Sequence, residues 1–79
     1  PHYAVSITKQ QSPDINATIT HIGELIALDD ALIDRFHKRL QQRQRPNTPV
    51  ALKFKLTEEE IAIIAVNQHR LPGVTLDAY

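Results

Sequence analysis

The stretch PVALKFKLTEEEIAIIAVNQHRLPGVTLDAY, Pro49–Tyr79, holds two strands, a helix and the punctuation between them. Val50, Leu52, Phe54 and Leu56 alternate with Ala51, Lys53 and Lys55, the period of a strand with a single apolar row. Thr57 and Glu60 then stand at capping-box spacing, with Leu56 and Ile61 at the positions of a hydrophobic staple. Glu58, Glu59 and Glu60 fall where the positive end of a helix dipole favours carboxylates. The run IAIIAV taken alone fits strand or helix, but the cap before it and Pro72-Gly73 after it frame a helix over residues 58 to about 70. Gly73 relieves a tight reversal, after which Val74, Leu76 and Ala78 alternate with Thr75, Asp77 and Tyr79 as another strand.

Working outward, Tyr3, Val5 and Ile7 alternate with Ala4, Ser6 and Thr8, the pattern of a half-buried strand. Ser12 is expected to cap the next helix, with Pro13 at its first position and Asp14 in its first turn. Ile15, Ile19, Ile22 and Ile26 give that helix one apolar face. Asp29 caps a second helix, with Leu28 and Ile33 at staple positions. Its buried stripe is Ile33, Phe36 and Leu40, and its pattern runs to about Gln44 before Pro46 stops it. The order is β-α-α-β-α-β. Three strands with one apolar face each, and three amphipathic helices, predict an α+β two-layer sandwich: a three-stranded sheet covered on one face by three helices. If the last two strands were neighbours in that sheet, the crossover would make them parallel. The place of the first strand stays open.

Residues 1–79 make one domain at most, of a size that buries only about 60% of its unfolded surface. Formal net charge is zero and there is no cysteine, so neither a global field nor a disulfide framework defines the chain. No run of about 18 apolar residues is present. The first and last few residues both have strand character, so residues 1–79 are expected to be a single subdomain within a longer polypeptide.

The chemistry-bearing patterns point away from catalysis. Ser6 and Lys9 form an S-x-x-K match, but three residues apart in an alternating strand they point to opposite faces, and neither S-x-N nor K-T-G accompanies them. His2, His21, His37 and His69 are scattered, without H-E-x-x-H and without cysteine, so no metal or cofactor is expected. Pro1 has no partner that would make it an amine base. Charge is uneven: Arg35, Lys38, Arg39, Arg43, Arg45, Lys53 and Lys55 are seven of the nine basic residues, and no acid lies among them. Two short helices with a basic second member offer an alternative function, a small nucleic-acid-binding module. Against it, the joint lacks the usual turn glycine, and cations near a helix carboxyl end are favoured by its dipole. Ile61, Ile64 and Ala65 fit one face of the third helix, leaving Ile63, Ala62 and Val66 for another surface, either a contact with a partner or the rest of a parent chain, or deeper burial of a sandwiched helix.

Leu56, Thr57 and Glu58 followed by Val66, Asn67, Gln68, Arg70, Pro72, Gly73 and Val74 form a cap leading into V-N-Q-x-R-x-P-G-V. Together with DDALIDRFHKRL, residues 29–40, this arrangement closely resembles the amino-terminal, non-catalytic region of class B penicillin-binding proteins of the elongation type (penicillin-binding protein 2). The resemblance covers essentially the whole chain. It implies a pedestal, head or dimerisation region between a membrane anchor and a serine D,D-transpeptidase domain, on the periplasmic face of the bacterial inner membrane. It further implies docking on the scaffold protein MreC and a regulatory relation to the glycosyltransferase RodA. On this reading Thr57, Glu60, Asn67, Gln68, Arg70, Pro72 and Gly73 are structural motif residues. Ile63, Arg39, Arg43 and Arg45 are the candidate partner surface. Because the family's catalytic serine lies far downstream, a labelled β-lactam incubated with this chain is expected to leave no covalent adduct, which mass spectrometry checks.

Overall fold

The structure, a computed structural model, describes residues 1–42, 45 and 47–79. Its elements run β1 (Tyr3–Ile7), a 3₁₀ turn (Lys9–Gln11), α1 (Ile15–Leu25), α2 (Asp30–Gln41), β2 (Val50–Lys53), α3 (Glu58–Asn67), a 3₁₀ turn (Gln68–Arg70) and β3 (Val74–Ala78). This is the expected β-α-α-β-α-β order. Among the described residues no helix is long and apolar enough to cross a membrane.

The sheet order is β2-β1-β3, with β1 antiparallel to both neighbours. The last two strands therefore run in one direction but are not adjacent, because β1 lies between them as in a split β-α-β unit. Central placement also corrects the expectation for β1. Val5 and Ile7 face the core, yet Ala4, Ser6 and Thr8 are buried as well. Their side chains are small, and those of Ala4 and Ser6 are flanked on the sheet by Ala51, Thr75 and Asp77, which is enough to cover them without a second layer.

The core is one cluster: Val5, Ile7, Val50, Leu52 and Val74 from the sheet, Ile19, Ile22, Phe36 and Ile64 from the helices, and Ile26, Leu56 and Leu71 from the connections. Two local readings change. Asp14, not Ser12, caps α1, its Oδ1 accepting from Ala17 N at 3.1 Å. Pro13 therefore precedes the cap, and Ser12 Oγ instead pairs with Thr18 Oγ1 at 3.1 Å. The α-helical part of α3 ends at Asn67, and its last turn tightens to 3₁₀ geometry, a common ending. For α2, the cap at Asp29 holds, with Oδ1 accepting from Leu32 N at 2.7 Å. The helix ends at Gln41 with Gln42 already extended, so it does not run unbroken toward Gln44 as expected; Gln44 itself, the stop at Pro46 and Arg43 lie outside the described residues.

The alternation read in residues 50–56 breaks at Phe54. A register shift sets Val5 opposite Lys53 but Ser6 opposite Ala51, so Leu52 has no direct partner, as in a bulge. Lys55 then adopts φ 51°, a left-handed conformation that costs a side-chain-bearing residue about 1 kcal/mol. These two departures turn Phe54 outward, 49% exposed, while Leu56 returns to the core.

Gly73 has φ 80°, and a Cβ there would lie 2.8 Å from Thr8 O. Gly73→Ala is expected to destabilise the fold by about 1–3 kcal/mol through left-handed strain and this collision, read as a lowered midpoint in urea unfolding.

Candidate functional site

The V-N-Q-x-R-x-P-G-V residues form a turn, and its bonds run inward. Asn67 Nδ2 donates to Ile63 O at 2.8 Å and Gln68 Nε2 to Val74 O at 3.0 Å. The first bond closes over the last α-helical turn and the second covers a carbonyl of the strand that follows. Leu71 is buried beneath the turn, and Thr8 N donates to Gly73 O at 2.8 Å, locking the reversal onto the end of β1. Arg70 and Pro72 are exposed and border a shallow cleft shared with Pro13, Asp14 and His21.

Thr57 and Glu60 complete the capping box, with Glu60 N donating to Thr57 Oγ1 and Thr57 N to Glu60 Oε1, each at 3.0 Å. Glu60 Oε2 also receives Lys53 Nζ at 2.6 Å, and the same ammonium donates to Ala27 O at 2.7 Å. One cation thus ties the end of β2 to the α1–α2 joint and to the start of α3. Both side chains are largely shielded, 20% and 16% exposed, so the pair is screened less than a surface one. Partial burial by itself would raise the Glu60 carboxyl, but the hydrogen bonds from Lys53 and Thr57 and the ammonium charge outweigh it and hold it below its usual range.

The basic segment does not make one surface. Lys53 is occupied by Glu60. Arg39 forks onto the outward carbonyl of Ala51, Nε at 3.1 Å and Nη2 at 2.7 Å, and lies over the Phe54 ring, 5.4 Å from its centroid. Burial, then the neighbouring Arg35 charge, lowers the Arg39 guanidinium from its ordinary value. Arg45 is at the other end of β2, lining a cleft of about 250 Å³ with Lys9, Gln10, Leu40 and Val50. Arg43 lies outside the described residues. This division removes the continuous basic face that a recognition helix requires.

Three further placements bear on function. Ser6 is buried within β1 whereas Lys9 is exposed in the following turn, and no hydrogen bond joins them. Among the described residues no group of histidines and carboxylates is arranged to hold a metal. On α3, Ile64 is fully buried and Ile61 and Ile63 are half-buried against the core, while Ala62, Ala65 and Val66 are exposed, Val66 by 70%. Ala65 had been expected on the inner face; the helix rotates it outward. The Arg39–Phe54 stack, continued by Tyr79 edge-on to Phe54 with centroids 5.6 Å apart, is absent from the sequence reading. Regular alternation, with Lys53 and Lys55 in the opposite row, assigns Phe54 to the core.

The model of the penicillin-binding protein dimerisation domain matches residues 1–79. The chain belongs to this family. The domain is 34% identical over 77 residues to the peptidoglycan D,D-transpeptidase MrdA of Salmonella typhimurium, and 30% identical to that of Escherichia coli K12. The match to MrdA of Acinetobacter baumannii is 25% identical. In the first two, 98% of this chain aligns with 12% of the relative. The domain therefore spans about an eighth of their length, and what matches is a non-catalytic dimerisation domain.

Because the folded-state pKa of Glu60 lies below the unfolded value, the unfolded chain takes up this proton first as pH falls. Its contribution is present above roughly pH 4.3, the ordinary glutamate value, and lost as pH drops through the lower folded-state pKa. Glu60→Gln is expected to cost about 1–2 kcal/mol at neutral pH and to flatten the decline of stability between about pH 5 and 3, measured by urea unfolding at each pH.

Proposed function

We propose that residues 1–79 are a single subdomain of a longer, single-pass membrane-anchored enzyme, and serve as its non-catalytic protein-interaction and regulatory region. The enzyme is a peptidoglycan D,D-transpeptidase of the penicillin-binding protein 2 type, acting on the periplasmic face of the inner membrane in cell-wall elongation and maintenance of cell shape. Its partners are other parts of the same polypeptide, an MreC-like scaffold protein and a RodA-like glycosyltransferase. The observation that carries this reading is the coincidence of the whole chain with a dimerisation domain that is a small part of transpeptidase relatives.

The outer face of α3 supports an interaction role. Val66 is a large apolar residue at 70% exposure, beside exposed Ala62 and Ala65 and half-buried Ile63, an apolar outer face that supports a contact role. A body that docks through apolar and cationic faces biases a larger assembly only by binding its alternative arrangements unequally.

Two substitutions on this helix separate interface from core. Val66→Arg is expected to leave the melting temperature within about 2 °C and to weaken binding to an MreC-like scaffold about ten-fold or more. Ile63→Arg is expected to lower the melting temperature as well, since Ile63 packs against the core. Thermal melts and binding isotherms check both, and unchanged scaffold binding by Val66→Arg would remove α3 from the interface.

A further inference from the structure

A second surface, on the opposite side of β2 from its pairing with β1, has the form of a recognition cleft. It lies between α2 and the β2 edge, about 220 Å³ in volume, with Leu32, Leu52 and Phe54 as its apolar lining and Arg35, Arg39 and Lys53 around them. Ligand pockets for small molecules run from about 300 Å³ upward, so this volume suits one or two protein side chains. Among the described residues no carboxylate lines it. Glu60, the acid nearest in the network, is held by Lys53 and by the backbone of Thr57.

Arg35 is exposed and has no ion-pair or hydrogen-bond partner among the described residues. Its neighbour Arg39 is positioned by Ala51 O and by the Phe54 ring, so one of the two guanidiniums is already oriented. Because Arg39 covers the outward carbonyl of Ala51, an added strand has no acceptor at that point of the edge, and recognition there falls to side chains. Phe54, half exposed beside three cations, supplies an apolar surface next to the charge.

We propose that this cleft binds an acidic segment of a partner protein, a carboxylate accepting from Arg35 and Arg39 with an adjacent aliphatic side chain against Phe54 and Leu32. The inference rests on the interaction role proposed above and assigns it a surface separate from the outer face of α3.

The test uses the ¹⁵N-labelled chain titrated with two acetylated, amidated peptides, Gly-Glu-Leu-Glu-Gly and its counterpart Gly-Gln-Leu-Gln-Gly. The glutamate peptide is expected to shift the amides of Leu32, Arg35, Leu52 and Phe54. Binding should be about ten-fold weaker for the glutamine peptide and for Arg35→Gln, and unchanged for Lys38→Gln. Among the described residues Arg35 makes no internal bond, so an unaltered melting temperature and spectrum elsewhere are expected to show that its variant folds. Equal affinity for the two peptides, or full binding by Arg35→Gln, would overturn the proposal. So would anionic phosphatidylglycerol vesicles or duplex DNA that bind through Arg35 while neither peptide does. Scaffold binding by the same samples keeps the two ideas apart. A Val66→Arg defect with no peptide response overturns the cleft and leaves the role, whereas a peptide response without any scaffold binding supports the cleft and overturns the role.

Discussion

Hydrogen bonding on both edges of β1 is the constraint to which the other elements conform. A strand paired antiparallel on both sides forces the chain to cross it when passing from β2 to β3, and α3 is the crossing. With neighbours on both sides, the small Ala4 and Ser6 in the row away from the helices are covered by flanking side chains of the sheet. The connections reinforce the same strand: Leu56 N donates to Tyr3 O, Thr8 N to Gly73 O, and His2 and Tyr79 exchange bonds in both directions.

Around that sheet, cations are divided between structure and surface. Lys53 is drawn into a shielded network with Glu60 and Ala27 O, and Arg39 protects an edge carbonyl while stacking on Phe54. Both guard the β2 edge, where an unpaired strand would otherwise offer a template for pairing. Arg35 and Arg45 are placed by the fold on different surfaces, each lining its own cleft. A cluster that is continuous along the chain is therefore discontinuous in space, because β2 and the helix before it carry it to two ends of the domain.

The family motif has an architectural explanation. Asn67, Gln68 and Gly73 each satisfy or permit a backbone contact in the passage from α3 to β3, and Leu71 anchors it from below. Such residues are demanded by geometry whatever the domain touches. Exposed positions such as Val66 and Arg35 are subject to no comparable internal requirement.

Local rules determined a good deal from sequence alone. The capping box at Thr57 and Glu60, the cap at Asp29, the isoleucine stripe of α1 and the strands flanking α3 were all legible, since caps and periodicity depend on residues within one turn or one strand. The V-N-Q-x-R-x-P-G-V element likewise pointed to the family without coordinates. Only tertiary structure decided that β1 is central, that Asp14 displaces Ser12 as cap once Ser12 pairs with Thr18, and that Phe54 turns outward over the bulge and left-handed Lys55. Those outcomes depend on partners 6 to 75 residues away along the chain, and the energy that settles them comes from packing between elements, which no local pattern encodes.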